Sequence, residues 1–162
     1  MRRRLVAATL LAAVVACGEP PVDVEIPPRE PGEQVLDRAG ILDDQVAARL
    51  REIAEGQDLD IIALTYETPA SSCGEAFRAG GAFVRQWEGD IAIVSVAEPG
   101  GFTRPASDRE ACFGVQPLDD FAVPASVREE IVEGLAPALT RENRWSEAFL
   151  MAADRLAATQ RE

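Results

Sequence analysis

The side chains that could do chemistry in this chain are defined first by what is missing. Among its 162 residues there is no histidine, and all sixteen basic residues are arginine. The usual general base, the imidazole metal ligand, the phosphate-binding lysine and the Schiff-base amine are therefore absent. This composition excludes histidine-containing hydrolase triads, histidine-dependent zinc sites, pyridoxal chemistry and the standard P-loop. Carboxylate, hydroxyl or thiol chemistry remains, with or without a hard metal ion.

The three cysteines are the next candidates. Cys73 and Cys112 form an even pair once Cys17 is set aside, and such a pair in an exported protein predicts a disulfide. Closing the loop between them would contribute about 4 kcal/mol to the free energy of unfolding. Two buried free thiols are the alternative. A redox or nucleophilic thiol is disfavoured, because there is no C-x-x-C spacing and no histidine to activate a thiolate.

The first sixteen residues have the composition of an export signal. Three arginines at positions 2–4 precede a twelve-residue apolar run at positions 5–16. At about 1.5 Å per residue, a helix of that length reaches about 18 Å, well short of the roughly 30 Å hydrocarbon core. The run therefore predicts a cleaved signal and not a membrane-spanning helix.

The end of this signal resembles the bacterial lipobox, with the sequence Val14-Val15-Ala16-Cys17. That resemblance implies removal of residues 1–16 and acylation of Cys17 on its sulfur and its amine. The protein would then be an envelope lipoprotein, held to a lipid bilayer and facing the periplasm or the exterior. The alternative is an ordinary secretory signal in which Cys17 is incidental.

The mature chain is strongly acidic. Loss of the three leading arginines would take the formal charge from −12 to −15. Phosphate backbones and anionic lipid surfaces repel such an acidic protein, so nucleic acid is excluded as a partner. The acyl chains must then attach the protein to the membrane. Residues 17–34 combine acidic side chains with five prolines, which predicts an extended tether. The prolines are Pro20, Pro21, Pro27, Pro28 and Pro31.

Residues 35–162 alternate between helical and strand patterns. Asp43 or Asp44 can cap a helix that Gly56 would end. Runs at residues 60–66 and 91–96 are apolar on both faces and predict covered strands, and a third strand is expected at residues 110–115. Pro124 would start a later helix, which Pro137 would kink or end.

Four apolar stripes at helical spacing define the faces of the predicted helices. The stripes consist of Val46, Leu50 and Ile53; of Ala76, Gly80, Phe83 and Trp87, widened by Phe77 and Val84; of Val127, Ile131 and Leu135; and of Trp145, Phe149, Ala152 and Leu156. Helices that alternate with doubly buried strands predict an α/β fold. We expect a three-layer α/β/α sandwich around a small central sheet of about four strands.

The stretch Val-Leu-Asp-Arg-Ala-Gly-Ile-Leu at residues 35–42, followed by an acid-capped helix and an apolar strand, resembles the opening of the TPM domain. This family occurs in bacterial envelope proteins and in the thylakoid lumen. The resemblance covers residues 35–158, and it implies an α/β/α sandwich for the domain.

The TPM resemblance also implies a chemistry, because family members are associated with calcium binding and with acid phosphatase activity. Asp37 and Asp90 are the candidate oxygen ligands of a metal ion, with calcium as the candidate cofactor. Asp119 and Asp120 are further candidates. A calcium ion takes six to eight oxygens, which carboxylates and backbone carbonyls would have to supply. The competing interpretation makes each aspartate a turn or capping residue.

Three functions follow from these features. The first is a non-catalytic envelope module, anchored through Cys17, that binds or supports another envelope protein; it has no catalytic residue. The second is a metal-dependent acid phosphatase that uses Asp37 and Asp90. The third is a calcium-binding structural module in which the ion orders loops.

Overall fold

The computed structural model describes residues 24–69, 73–120 and 122–159. The predicted signal peptide of residues 1–16, Cys17 and the first part of the predicted tether lie outside the described residues. None of the helices in these described ranges is both long enough and apolar enough to cross a membrane.

The described chain forms four strands and five α-helices, with a π-helical segment between the third and fourth helices. In chain order these are β1 (Val35–Asp37), α1 (Asp44–Gln57), β2 (Ile61–Glu67), α2 (Cys73–Gln86), β3 (Ile91–Ala97), β4 (Ala111–Pro117), α3 (Ala125–Glu129), the π-helix (Glu130–Leu135), α4 (Ala136–Arg141) and α5 (Trp145–Thr159). Two short 3-10 turns, Gly101–Thr103 and Ala106–Asp108, lie between β3 and β4.

The four strands form one sheet in the order β1-β2-β3-β4. The first three strands are parallel, and β4 runs antiparallel to β3. The predicted strands at residues 60–66, 91–96 and 110–115 are confirmed within two residues, and β1 supplies the fourth. We call the end at which β1, β2 and β3 begin the amino end, and the opposite end the carboxyl end.

Apolar side chains cover both faces of the sheet, as the doubly apolar strands predict. One face packs against α1, α5 and the helices before it, with Leu50, Ile131 and Phe149 among its buried side chains. The other face packs against α2, with Phe83 and Trp87 in its core. The predicted three-layer α/β/α arrangement is therefore the observed one.

The two ends of α1 show which capping predictions hold. Asp43 caps the helix, since its Oδ1 accepts a hydrogen bond from the Gln45 N–H at 3.1 Å. The prediction that Gly56 ends the helix is wrong, because α1 continues to Gln57 and Asp58 adopts the left-handed conformation with φ of 53°. Aspartate tolerates this conformation better than most residues, so a glycine is not required.

Helix α2 approaches the sheet closely at Gly80. A Cβ at this position would lie 3.0 Å from side-chain atoms of Val94 and Gln116, so only glycine fits without a local shift. The prediction that Phe77 belongs to the buried stripe is wrong, since Phe77 is 52% exposed. It lies beside the last strand of the sheet and contributes to a shallow groove with Val115 and Val132.

The π-helix changes the register of the third predicted stripe. Val127 and Ile131 are buried as expected, but Leu135 is exposed and Ala136 takes its place in the core. The Ala136 N–H donates to the Ile131 carbonyl five residues back, and Pro137 has no N–H to continue an α-helical pattern. The wider turn therefore accommodates Pro137. The helical segment continues past this proline, but the four-residue spacing of the buried stripe is lost.

Residues 24–34, which we call the docked segment, differ most from the sequence-based expectation of a free tether. Val24 and Ile26 pack against the apolar core beneath α2. The Gln86 side chain donates to the Ile26 carbonyl at 2.5 Å, and the Trp87 indole donates to the Pro27 carbonyl at 2.9 Å. Apolar burial and these hydrogen bonds hold this part of the predicted tether against the domain.

The predicted disulfide is confirmed. Cys73 and Cys112 are bonded, with their Cα atoms 5.2 Å apart. The bridge joins the first residue of α2 to the second residue of β4, so it fixes the α2 layer to the last strand of the sheet.

Candidate functional site

Asp37 ends β1 and binds its own loop. Its Oδ1 accepts from the Ile41 N–H at 3.2 Å and its Oδ2 accepts from the Leu42 N–H at 2.9 Å. The Thr65 hydroxyl on the neighbouring strand donates to the same carboxylate. Both oxygens are therefore engaged within the protein, in the geometry of a turn-stabilising residue.

We expect Asp37→Ala to lower the free energy of unfolding by about 2–3 kcal/mol, because hydrogen bonds to a charged carboxylate are among the stronger ones. Asp44→Ala is the matched control. This exposed residue in the first turn of α1 should cost only about 0.5 kcal/mol through the helix dipole. Urea unfolding of both variants measures the difference. Equal losses in the two variants would show that the Asp37 contacts do not hold the loop.

Asp37 and Asp90 lie at opposite ends of the sheet. Asp37 pairs with Thr65, which pairs in turn with Ser95, and Asp90 precedes Ser95 by five positions. At about 3.3 Å per residue, the two aspartates are separated by about 16 Å along the strands. The expected metal site containing both is therefore not assembled. The physical reason is that Asp37 is the last residue of a parallel strand whereas Asp90 precedes the first residue of another.

The two further candidates, Asp119 and Asp120, follow β4 at the amino end. They are close in the chain to Leu118, whose N–H donates to the Asp90 carbonyl at 2.8 Å. Asp120 forms an ion pair with Arg128 at 3.5 Å, and Asp119 also has an interaction partner. Across the described ranges, no group of three or more histidine, cysteine, aspartate or glutamate side chains has an arrangement that could hold a metal ion.

A different set of residues meets at the amino end. Arg29 of the docked segment forms two hydrogen bonds to the Asp60 carboxylate, at 2.5 and 2.9 Å. It also donates to the Glu33 carbonyl at 2.6 Å and to the Trp87 carbonyl at 3.0 Å. The hydrogen bonds to Asp60 raise the pKa of Arg29. A bidentate pair of this kind fixes both distance and orientation, so Arg29 secures the docked segment to the start of β2.

Asp90 connects this pair to β3. Its Oδ2 accepts from the Asp60 N–H at 2.8 Å, and the Asp90 N–H donates to the Asp60 carbonyl at 2.9 Å. Gln34 adds a third member, because its Nε2 donates to Asp60 at 3.2 Å. Gln34 is only 6% exposed, and its Oε1 has no hydrogen-bond partner among the described residues. A buried acceptor without a donor is costly.

These residues line an open pocket of about 710 Å³, which we call the amino-end pocket. The docked segment forms one wall and Trp87 another, with the Arg29 guanidinium 5.6 Å from the centre of the Trp87 ring. Five carboxylates and a single guanidinium, which Asp60 already pairs, surround the space. The carboxylates belong to Glu30, Asp58, Asp60, Glu88 and Asp90. The pocket therefore favours a cation.

Sequence reasoning missed Arg29, Gln34, Asp60 and Trp87 as a set. Arg29 and Gln34 belong to the predicted tether, Asp60 begins a predicted strand, and Trp87 belongs to a predicted core stripe. One signal was present, because Arg29 is the only basic residue between positions 17 and 34.

The chain matches no protein-family model and no curated protein. The TPM resemblance thus stays a prediction from the motif at residues 35–42 and the order of the elements.

Proposed function

We propose that this protein is a lipid-anchored lipoprotein of the bacterial envelope, whose TPM-like domain acts as a non-catalytic accessory module. The lipobox-like sequence ending at Cys17 supports the anchor, and the Cys73–Cys112 disulfide fits an oxidising compartment. The module binds a basic group, an arginine or lysine side chain, presented by another envelope protein.

The amino-end pocket carries this proposal. Glu30, Asp58 and Glu88 contribute carboxylates that have no hydrogen-bond or ion-pair partner of their own among the described residues. A guanidinium or ammonium group carries several donors and a positive charge, so it can pair with more than one of these carboxylates.

The metal-dependent phosphatase was predicted to use Asp37 and Asp90 around one ion. These two aspartates lie at opposite ends of the sheet, which disfavours a site that they share. The binding module depends on neither residue as a metal ligand.

The test uses a short arginine peptide as the probe and the two indole N–H resonances of the mature protein in neutral detergent micelles as the readout. Trp87 lines the pocket and Trp145 lies elsewhere in the molecule, so each indole reports on its own surroundings. We expect the peptide to shift the Trp87 resonance in a saturable way. The same peptide with glutamine in place of arginine should leave it unmoved.

A double variant, Asp58→Asn with Glu88→Gln, should weaken this binding about tenfold, since each exposed ion pair is worth up to about 1 kcal/mol. Asparagine and glutamine keep the size of the side chains, and asparagine tolerates the left-handed backbone at position 58. The control, Glu129→Gln with Glu133→Gln, removes the same charge from exposed positions on another helix. Equal affinities in the two double variants, or an unmoved Trp87 resonance, would contradict the proposal.

A further inference from the structure

Arg109 is held in an unusual way near the carboxyl end of the sheet. Its Nη1 donates to the Arg104 carbonyl at 2.8 Å and to the Asn143 side chain, and its Nη2 donates to the Thr140 carbonyl. The guanidinium lies 4.9 Å from the centre of the Trp145 ring. Every one of these partners is neutral.

A half-buried cation without a counter-ion is unexpected in a chain with 28 acidic residues. Burial lowers the pKa of Arg109, because the charged guanidinium has lost water and gained no carboxylate. Acidic residues of the described chain pair with other arginines instead. Even the exposed Arg144 is paired, with Glu142 and Glu147. The charge of Arg109 is therefore not neutralised by any carboxylate of the described residues.

Space for a counter-ion exists beside Arg109. A pocket of about 160 Å³ is lined by Arg109, Arg141, Thr140 and Trp145, with Cys112 of the disulfide on its wall. Arg141 ends α4, is exposed, and also has no carboxylate partner among the described residues. Two guanidinium groups thus face one small cavity with no acid between them.

The hydrogen bonds of Arg109 leave donors for a ligand. An arginine side chain has five N–H donors, and the three bonds described above use both Nη1 hydrogens and one Nη2 hydrogen. The Nε hydrogen and the second Nη2 hydrogen have no partner in the described part of the chain. Guanidinium groups bind phosphate and carboxylate oxygens through such pairs of donors.

We propose that this pocket binds a phosphate group, with Arg109 as the oriented donor and Arg141 as the second positive charge. The cavity has room for one tetrahedral oxyanion. The overall negative charge of the protein opposes binding, but it is screened beyond about 8–10 Å, whereas the two guanidinium groups contact the ligand directly.

Two sources can supply this phosphate, a free anion and a phospholipid headgroup. The docked segment reaches the carboxyl end of the sheet at its first residues, where Arg38 donates to the Glu25 carbonyl at 3.4 Å. The first described residues of the chain thus lie at the same end of the sheet as the Arg109 pocket. If Cys17 is acylated as proposed above, headgroup phosphates lie near this end.

The test follows the same two indole N–H resonances of the mature protein in neutral detergent while inorganic phosphate is added, against sodium chloride at equal ionic strength. We expect a saturable shift of Trp145, which stacks on Arg109, and no shift of Trp87. A parallel titration with glycerophosphoglycerol identifies the source. Binding of both compounds indicates a headgroup site, and binding of inorganic phosphate alone indicates a site for the free anion; each result supports a phosphate pocket.

Arg141→Gln should weaken phosphate binding about tenfold, because it removes one of two charges without touching the contacts of Arg109. Arg51→Gln is the matched control, since Arg51 is exposed on α1 and lines no part of this pocket. An unmoved Trp145 resonance would overturn the proposal, as would equal affinities in the two variants. The proposed function is tested by the Trp87 resonance and a cationic peptide, whereas this proposal is tested by the Trp145 resonance and phosphate. A negative result in one experiment therefore does not affect the other.

Discussion

A version of the chain in which residues 1–17 are replaced by a leader that is cut immediately before Gly18 is expected to leave the membrane fraction completely. Each buried methylene of an acyl chain contributes about 0.8 kcal/mol to membrane binding, and two or more chains make the attachment stable. The acidic domain offers no electrostatic attraction to anionic lipid in their place. Cell fractionation measures the result.

The control keeps Val14-Val15-Ala16-Cys17 at the end of the same leader, and we expect it in the membrane fraction. The mass of its N-terminal peptide should exceed that of the unmodified residues by the mass of the acyl groups. A wild-type protein that is soluble, that lacks this added mass, or that retains residues 1–16 would disprove the anchor.

Removal of the disulfide is expected to cause the largest loss of stability. The bridge spans a sequence separation of 39 residues, and closing a loop of that length contributes about 4 kcal/mol. For a domain of this size the loss corresponds to a fall in Tm of about 10–15 °C. Thermal unfolding of the oxidised protein and of the double variant Cys73→Ala with Cys112→Ala measures it.

Reducing the wild-type protein breaks the disulfide without replacing the cysteines. This control separates the effect of the bond from the effect of the two alanine substitutions. Reduced wild-type protein and the double variant should unfold within a few degrees of each other, well below the oxidised protein. A reduced wild-type protein that melts with the oxidised one would show that α2 and β4 are held by packing alone.

Much of the fold follows from local patterns in the sequence. The buried strands are short apolar runs without alternation, and three of the four helical stripes keep their spacing. The exception at Leu135 has a non-local cause, because a π-turn moves the core position to Ala136 beside Pro137. A spacing rule that assumes 3.6 residues per turn cannot anticipate that insertion.

The candidate site was harder to predict for two reasons. The prolines and acids of residues 17–34 predict a free tether, whereas the alternation of Val24 and Ile26 with acidic residues is typical of a half-buried extended segment. The expected metal site at Asp37 and Asp90 conflicts with a rule of parallel sheets. A residue that follows one strand and a residue that precedes another belong to opposite ends.

If Cys17 is acylated, the docked segment also limits how far the domain can lie from a bilayer. A free chain of eighteen steps from Cys17 to Val35 would permit a separation of about 56 Å at about 3.1 Å per residue, but only the seven steps from Cys17 to Val24 precede the docked segment, or about 22 Å. The domain of an acylated protein would therefore stay within a thin layer above the lipid surface. Its encounters would be confined to proteins whose exposed basic groups lie within that layer, at a correspondingly higher effective concentration.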